Sequence, residues 1–332
     1  ATHVHPFDDT LRETLDRLAQ GESVKLADLG LVDVQLGELF GAAAASLLND
    51  NPELRGQVKA IGSHGHTAWH QPPGDSAPGF TLQLGDPNII AARTGITTVA
   101  DFRRMDMAYG GQGAPLAPAF HQWLWATAGA TRVVANLGGI ANITILRNAD
   151  DIIGFDTGPG NTLLDRWSQR HLGQAYDSDG AWARSGKLND SLLNGLLGDA
   201  YFRQAPPKST GREYFNLDRI PPAHELDPAD VARTLLELTV RTLADAVTTF
   251  ADDAREIVLV GGGSHNTFLR QRLADYSNRK VTDSNDSGLA PDWVEAVAFA
   301  WLAQNRLAGN AVNSPSVTGA RQKALLGGVY CP

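Results

Sequence analysis

Cysteine, methionine and basic side chains are the scarce residues of this chain of 332: one Cys, two Met, and 28 Lys and Arg. The one cysteine, Cys331, is penultimate and cannot form an internal disulfide, which fits a reducing compartment, most simply the cytoplasm. Against the 28 basic residues stand 37 Asp and Glu, a net charge of −9. Phosphate backbones are bound by surplus cations, so no nucleic-acid partner is expected. No apolar run approaches the ~18 residues of a membrane span, and no membrane partner is expected either. No signal peptide opens the sequence, which starts at Ala1-Thr2-His3-Val4-His5 without an initiating Met. Internal repeats and low-complexity tracts are likewise missing. What is present is a globular α/β composition, 42% hydrophobic with 34 glycines and 20% charged residues, long enough for two domains.

Leu11, Leu15 and Leu18 recur at helical spacing, and a second helical run goes from Val34 to Leu48, stopped by Asn49-Asp50-Asn51-Pro52. Val58 to Gly62 reads as a short strand ending in Ser63-His64-Gly65-His66-Thr67. Phe80 to Leu84 and Gly95 to Asp101 read as further strands, with a helix from Asp86-Pro87 between them. Open α/β sheets put ligands at strand ends, which singles out His64, His66, Asp101 and Arg103. The bland alternatives are structural histidines and a mutual Asp101–Arg103 ion pair. Gly110-Gly111-Gln112-Gly113 marks the domain change. Val133 to Ile145 is a hairpin bent at Gly138-Gly139, Val231 to Phe250 an amphipathic helix, and Ile257 to Val260 a buried strand running into Gly261-Gly262-Gly263-Ser264. The segment from Tyr176 to Leu217 reads as a long functional loop with short helices, whose Lys208 and Arg212 are expected to be solvated.

The chain is organised around Gly154-Phe155-Asp156-Thr157-Gly158-Pro159-Gly160-Asn161. An apolar run delivers Asp156 into a turn of permissive residues, with Gly158 and Gly160 free to take positive φ and Asn161 placed to cap the next helix. Free N–H groups at that helix start would suit an anionic or polyhydroxylated ligand, with Asp156 as a base upon it. The alternative is an ordinary turn in which Asp156 caps. Glu295, between Val294 and Ala296, is an acid on an apolar helix face, costly unless paired or functional. None of the glycine turns is a P-loop or a dinucleotide fingerprint.

Six ordered segments resemble the anhydro-N-acetylmuramic acid kinases: Ile61 to Thr67, Ala100 to Asp106, Gly110 to Leu116, Asn136 to Asn142, Gly154 to Asn161 and Gly261 to Asn266. The resemblance implies the sugar kinase, Hsp70 and actin fold, two ribonuclease-H-like lobes around a central cleft. It also implies ATP- and Mg²⁺-dependent hydrolysis of the 1,6-anhydro bond coupled to phosphorylation of O6, giving N-acetylmuramate 6-phosphate in cell-wall recycling. By the same resemblance Asp156 is the base and Glu295 its support. His64, His66, Asp101, Arg103, Gly158 and Asn161 fall to the sugar. Asn136, Gly138, Gly139, Asn142, Gly261, Gly262, Gly263 and Asn266 fall to ATP. No metal ligand is assigned, and a homodimer is expected. Family members begin with a Met-Ser-Gly-Thr-Ser-Leu-Asp-Gly type phosphate loop that this sequence does not contain. The first lobe is therefore expected to be shortened at its N-terminus, comprising residues 1–105 and 316–332, with 106–315 as the second lobe. That departure favours an alternative, an inactive sugar- or nucleotide-binding sensor of the same fold. His3 and His5 alone favour a metal-dependent amidohydrolase, but nothing precedes them to form the buried strand such sites need.

Overall fold

The computed structural model describes residues 1–19, 22–74, 78–147, 151–211, 214–220 and 226–332. In chain order the elements are α1 (Asp9–Ala19), α2 (Leu26–Asp50), β1 (Ile61–Gly62), β2 (His66–Gln71), β3 (Phe80–Leu84), α3 (Pro87–Thr94), β4 (Thr98–Ala100), α4 (Arg104–Ala108) and α5 (Ala117–Trp125). There follow β5 (Arg132–Leu137), β6 (Ile140–Leu146), β7 (Ile152–Pro159), α6 (Thr162–Leu172), α7 (Ala181–Ser185), α8 (Asp190–Leu197), α9 (Pro228–Phe250), β8 (Glu256–Val260), α10 (Thr267–Ser277) and β9 (Lys280–Asp283). The chain ends with α11 (Val294–Ala308), α12 (Pro315–Thr318) and β10 (Gly328–Tyr330).

Two compact units result, Ala1–Phe120 with Ala296–Pro332, and His121–Glu295. Residues 106–120 and 296–315, expected in the second lobe, belong to the first unit. The reason is a buried carboxylate. Asp106 is fully buried and accepts from the Gly113 N–H at 2.9 Å and from Asn313 Nδ2 and Thr318 Oγ1 at 2.8 Å each, tying the glycine-rich link to the C-terminal segment.

In the first unit β4 pairs parallel with β1 and antiparallel with β10. Gly62 is required on β1 because a Cβ there would run into the Phe299 carbonyl of α11. A separate hairpin of β2 and β3, not foreseen from the mixed polar sequence His66–Gln71, packs beside a core of Leu11, Leu15, Val32, Leu36 and Leu84. Helix α2 begins well before Val34. By length and composition alone it is long and apolar enough to cross a membrane, which corrects the expectation that nothing in the chain is. Here it packs against α3, and its Asp33 accepts the Gly85 N–H at 2.7 Å, so a polar group is committed within the unit.

The second unit holds a sheet in the order β7-β6-β5-β8-β9, antiparallel through β7, β6 and β5 and parallel from β5 to β9, the ribonuclease-H-like pattern. Val133, Ala135, Ile143, Phe155, Ile257 and Leu259 turn one face into a core shared with Val231, Leu235, Leu238 and Val247 of α9. Asp227 starts α9 by accepting the Ala229 N–H, with Pro228 at the first helical position. Two buried polar residues on α9 are satisfied: Thr239 donates towards the carbonyls of Pro159 and Gly160 at 3.0 Å, and Glu237 is enclosed by Arg233, Arg241 and Arg272. Thr239 thereby fixes the end of β7, where the candidate site begins.

Candidate functional site

Asp156 lies within β7, not in the turn after it. Gly158, at φ +155°, continues the strand, and β7 ends at Pro159. Across the sheet Asp156 is directly opposite Asn142, which is opposite Asn136. Directly paired residues share a face, so the three side chains form a row on the side away from the α9 core. A bulge assists: between the pairs Ala141–Gly158 and Asn142–Asp156, Thr157 is the extra residue, and its Oγ1 donates to the Ala141 carbonyl at 3.2 Å. Bulges re-aim neighbouring side chains at strand ends.

The three glycine turns meet. The N–H groups of Gly160, Asn161 and Thr162 donate to the carbonyls of Gly139, Gly138 and Gly139 at 2.9, 2.8 and 3.1 Å. Asn161 Nδ2 donates to the Leu137 carbonyl at 3.0 Å. Gly261, at φ +80°, lies where a Cβ would strike the Asn136 Oδ1, and a Cβ on Gly263 would meet Leu137 and Asn161. These contacts correct two expectations. Asn161 stands at the N-cap position of α6, but its side chain makes no capping bond and instead staples the turn to β5. The N–H groups at 160–162 are consumed by the hairpin rather than offered to a ligand.

A pocket of about 530 Å³ opens beside the junction, lined by Asn161, Tyr176, Asp179, Gly262, Gly263 and Asn266 among others. Nothing lies within 4 Å of a Cβ built on Gly262, so its backbone is open to a ligand. Asn161, assigned to the sugar, thus shares a pocket with the residues assigned to ATP. Asn266 also serves α10, its Oδ1 accepting the Leu269 N–H at 2.9 Å. Tyr176 and the 177–179 turn were read only as the start of a functional loop and not named as site residues; the Asp-Ser-Asp-Gly sequence at 177–180 was the available signal.

The Asp156 carboxyl is pushed from its ordinary 3.8 to about 6 by burial, opposed by the Thr210 N–H, which donates to Oδ2 at 2.9 Å, and by the Lys208 charge. Its backbone is held too. Asp156 N–H donates to the Lys208 carbonyl at 3.2 Å, and Tyr201 Oη donates to the Asp156 carbonyl at 2.8 Å. Lys208, expected to be solvated, is half-buried beside the acid, and Arg212 lies outside the described residues. Glu295 sits exposed in the first turn of α11, where the helix N-terminus favours an acid. The burial cost expected of it does not arise.

In the first unit Arg103 Nη2 lies 2.8 Å from His64 Nε2, and Nη1 donates to the Gly113 carbonyl at 2.9 Å. Arginine only donates, so Nε2 accepts and the ring is neutral; burial and the guanidinium push His64 down to about 3. Asp101, at φ +59°, engages Arg104 at 3.5 Å rather than Arg103, and burial raises its carboxyl. His64 and Asp101 line one pocket of about 320 Å³ with Arg104 and Tyr330. His66 lies on β2, paired with Leu84.

A family model described as "Anhydro-N-acetylmuramic acid kinase" matches residues 1–332. Curated proteins of that name from Coxiella burnetii (strain RSA 493 / Nine Mile phase I) and Aliivibrio fischeri are each 48% identical, over 99% and 98% of this chain and 90% of their own length. The one from Xanthomonas axonopodis pv. citri is 50% identical over 98% of this chain and 87% of its own length. These matches lend no support to a truncated first lobe. The fold is mixed α/β, and the chain belongs to the anhydro-N-acetylmuramic acid kinase family.

Proposed function

We propose that this protein is an ATP-dependent kinase that opens 1,6-anhydro-N-acetylmuramic acid with water and phosphorylates its O6, with Asp156 as the general base. Water attacks the anomeric carbon as Asp156 takes its proton. The bond from that carbon to O6 breaks, and O6 receives the γ-phosphoryl group, leaving ADP and N-acetylmuramate 6-phosphate. The observation that carries this reading is the family match over residues 1–332, and the base is assigned to Asp156 for its place in a row with Asn142 and Asn136, its carboxyl raised to about 6 by burial.

The open backbone at Gly262, beside Gly263 and Asn161, fits a triphosphate, and the exposed face of Tyr176 fits its base. Among the described residues no group of three His, Cys, Asp or Glu is arranged for a metal. Mg²⁺ would therefore arrive with the nucleotide and neutralise its phosphate charge. His64, held by Arg103, and Asp101 are assigned to the sugar, with Glu295 as an auxiliary acid. Cytoplasmic residence accords with the single, exposed Cys331, and a homodimer rests on the resemblance alone.

The test is incubation with the anhydro sugar, ATP and Mg²⁺ in ¹⁸O-labelled water, followed by mass spectrometry. A phosphorylated sugar carrying one labelled oxygen is expected. Binding without turnover would identify a sensor and end the proposal.

A further inference from the structure

His265 ends the glycine turn of the second unit and lines the same pocket as the open Gly262. The turn that carries it is fixed. Buried Ser264 donates to the Gly261 carbonyl from its N–H at 3.0 Å and from Oγ at 2.7 Å, and the Asn266 N–H donates to the Gly263 carbonyl at 3.1 Å. The Gly261 N–H donates to the Pro291 carbonyl at 3.3 Å, which brings the turn bearing Asp292 alongside. Asp292 does not line the pocket, and its two carboxylate oxygens lie 3.0 and 2.9 Å from His265 Nε2. A carboxylate only accepts, so Nε2 carries the proton and the neutral ring keeps a bare lone pair at Nδ1. Among the described residues the ring makes no other hydrogen bond.

We infer that His265, its tautomer fixed by Asp292, selects adenine over guanine in the nucleotide. The inference rests on the proposed use of this pocket for ATP. Adenine carries a 6-amino group, which donates to the Nδ1 lone pair; guanine carries an oxygen at that position, and its lone pairs are repelled. The rest of the wall agrees. Asp165, Asp177 and Asp179 line the pocket and no Lys or Arg does, so the donor groups of a nucleoside are favoured there while phosphates are left to the Gly262 backbone. The two side chains of the pair are 60% and 53% exposed. Such a pair adds little to stability, so variants of it should fold.

The experiment is calorimetric titration of ADP and GDP at pH 8 into wild type, His265→Ala and Asp292→Asn, a readout independent of turnover, with ¹⁵N NMR of the imidazole to locate its proton. Wild type should bind ADP at least about tenfold tighter than GDP, and His265→Ala should lose about tenfold for ADP and little for GDP, bringing the ratio near one. Asp292→Asn should narrow the ratio and strengthen GDP binding, because the introduced amide can donate to Nε2 and send the ring proton to Nδ1, where it meets the guanine oxygen. A ratio unmoved in His265→Ala, or equal losses for both nucleotides, overturns the inference, as does a proton on Nδ1 in the wild-type spectrum at pH 8. Selective binding without turnover of the anhydro sugar would support the inference and end the kinase reading; turnover with unselective binding would do the reverse.

Discussion

Asp156→Asn separates the chemical role of this acid from its effect on stability. The carboxyl rises from 3.8 to about 6 on folding, chiefly because it loses water. Above about pH 6 native and unfolded chains both carry the charge, but only the native chain holds it in a desolvated place. The native state is then penalised by about 3 kcal/mol, the free energy equivalent of that displacement. Between the two values the native chain binds the extra proton, so stability falls as pH rises; well below 3.8 both forms are neutral and the penalty is gone. Asn has nearly the same shape, carries no charge, and its Oδ1 still accepts the Thr210 N–H. The variant should therefore exceed wild type in stability by about 1 kcal/mol at pH 4.5 and about 3 kcal/mol at pH 8. Urea unfolding at a series of pH values measures the difference. Turnover of the anhydro sugar should fall at least ~100-fold, the usual contribution of a general base. A stability difference that does not vary with pH would refute the desolvation argument, and retained turnover would refute the base.

Asp106→Ala should destabilise the first unit by about 3 kcal/mol or more, since it leaves the Gly113 N–H, Asn313 Nδ2 and Thr318 Oγ1 buried without their acceptor. Denaturant unfolding followed by a probe in that unit checks it. Gly160→Ala would place a Cβ against the Gly138 carbonyl and push the two turns apart. The expected loss is about 1–3 kcal/mol of stability, with weaker binding of a non-hydrolysable ATP analogue by calorimetry; an unchanged protein would show that the turns are not braced there.

Strands β5, β6 and β8 were legible because β-branched runs such as Ile257-Val258-Leu259-Val260 are buried and run into glycine, whereas β9 was not read from the short polar Lys280–Asp283. The glycine turns were legible for a related reason, since Gly160, Gly261 and Gly263 stand where backbone or another turn comes too close for a side chain. The β2–β3 hairpin was not, because His66–Gln71 carries neither alternation nor a tight turn. The division of the chain was misplaced at Gly110–Gly113 because the feature that holds this link, the buried Asp106, takes its partners from residues far along the chain.

The same distinction explains the site. Asp156 stood out as a carboxylate between an apolar run and glycines, but its surroundings are assembled by edge pairing. Lys208 and Thr210 reach it through backbone bonds that any residue types could make. Local sequence therefore marks the acid without marking what sets its charge. The helix-start N–H groups fail for the converse reason: the sequence offers them, and the Gly138-Gly139 carbonyls of the neighbouring hairpin take them first. A ligand's phosphates must then be met by N–H groups that the fold leaves unspent. In the second unit the chain at Gly262 is where a phosphate can approach, since it lines the pocket and a Cβ built there would meet open space.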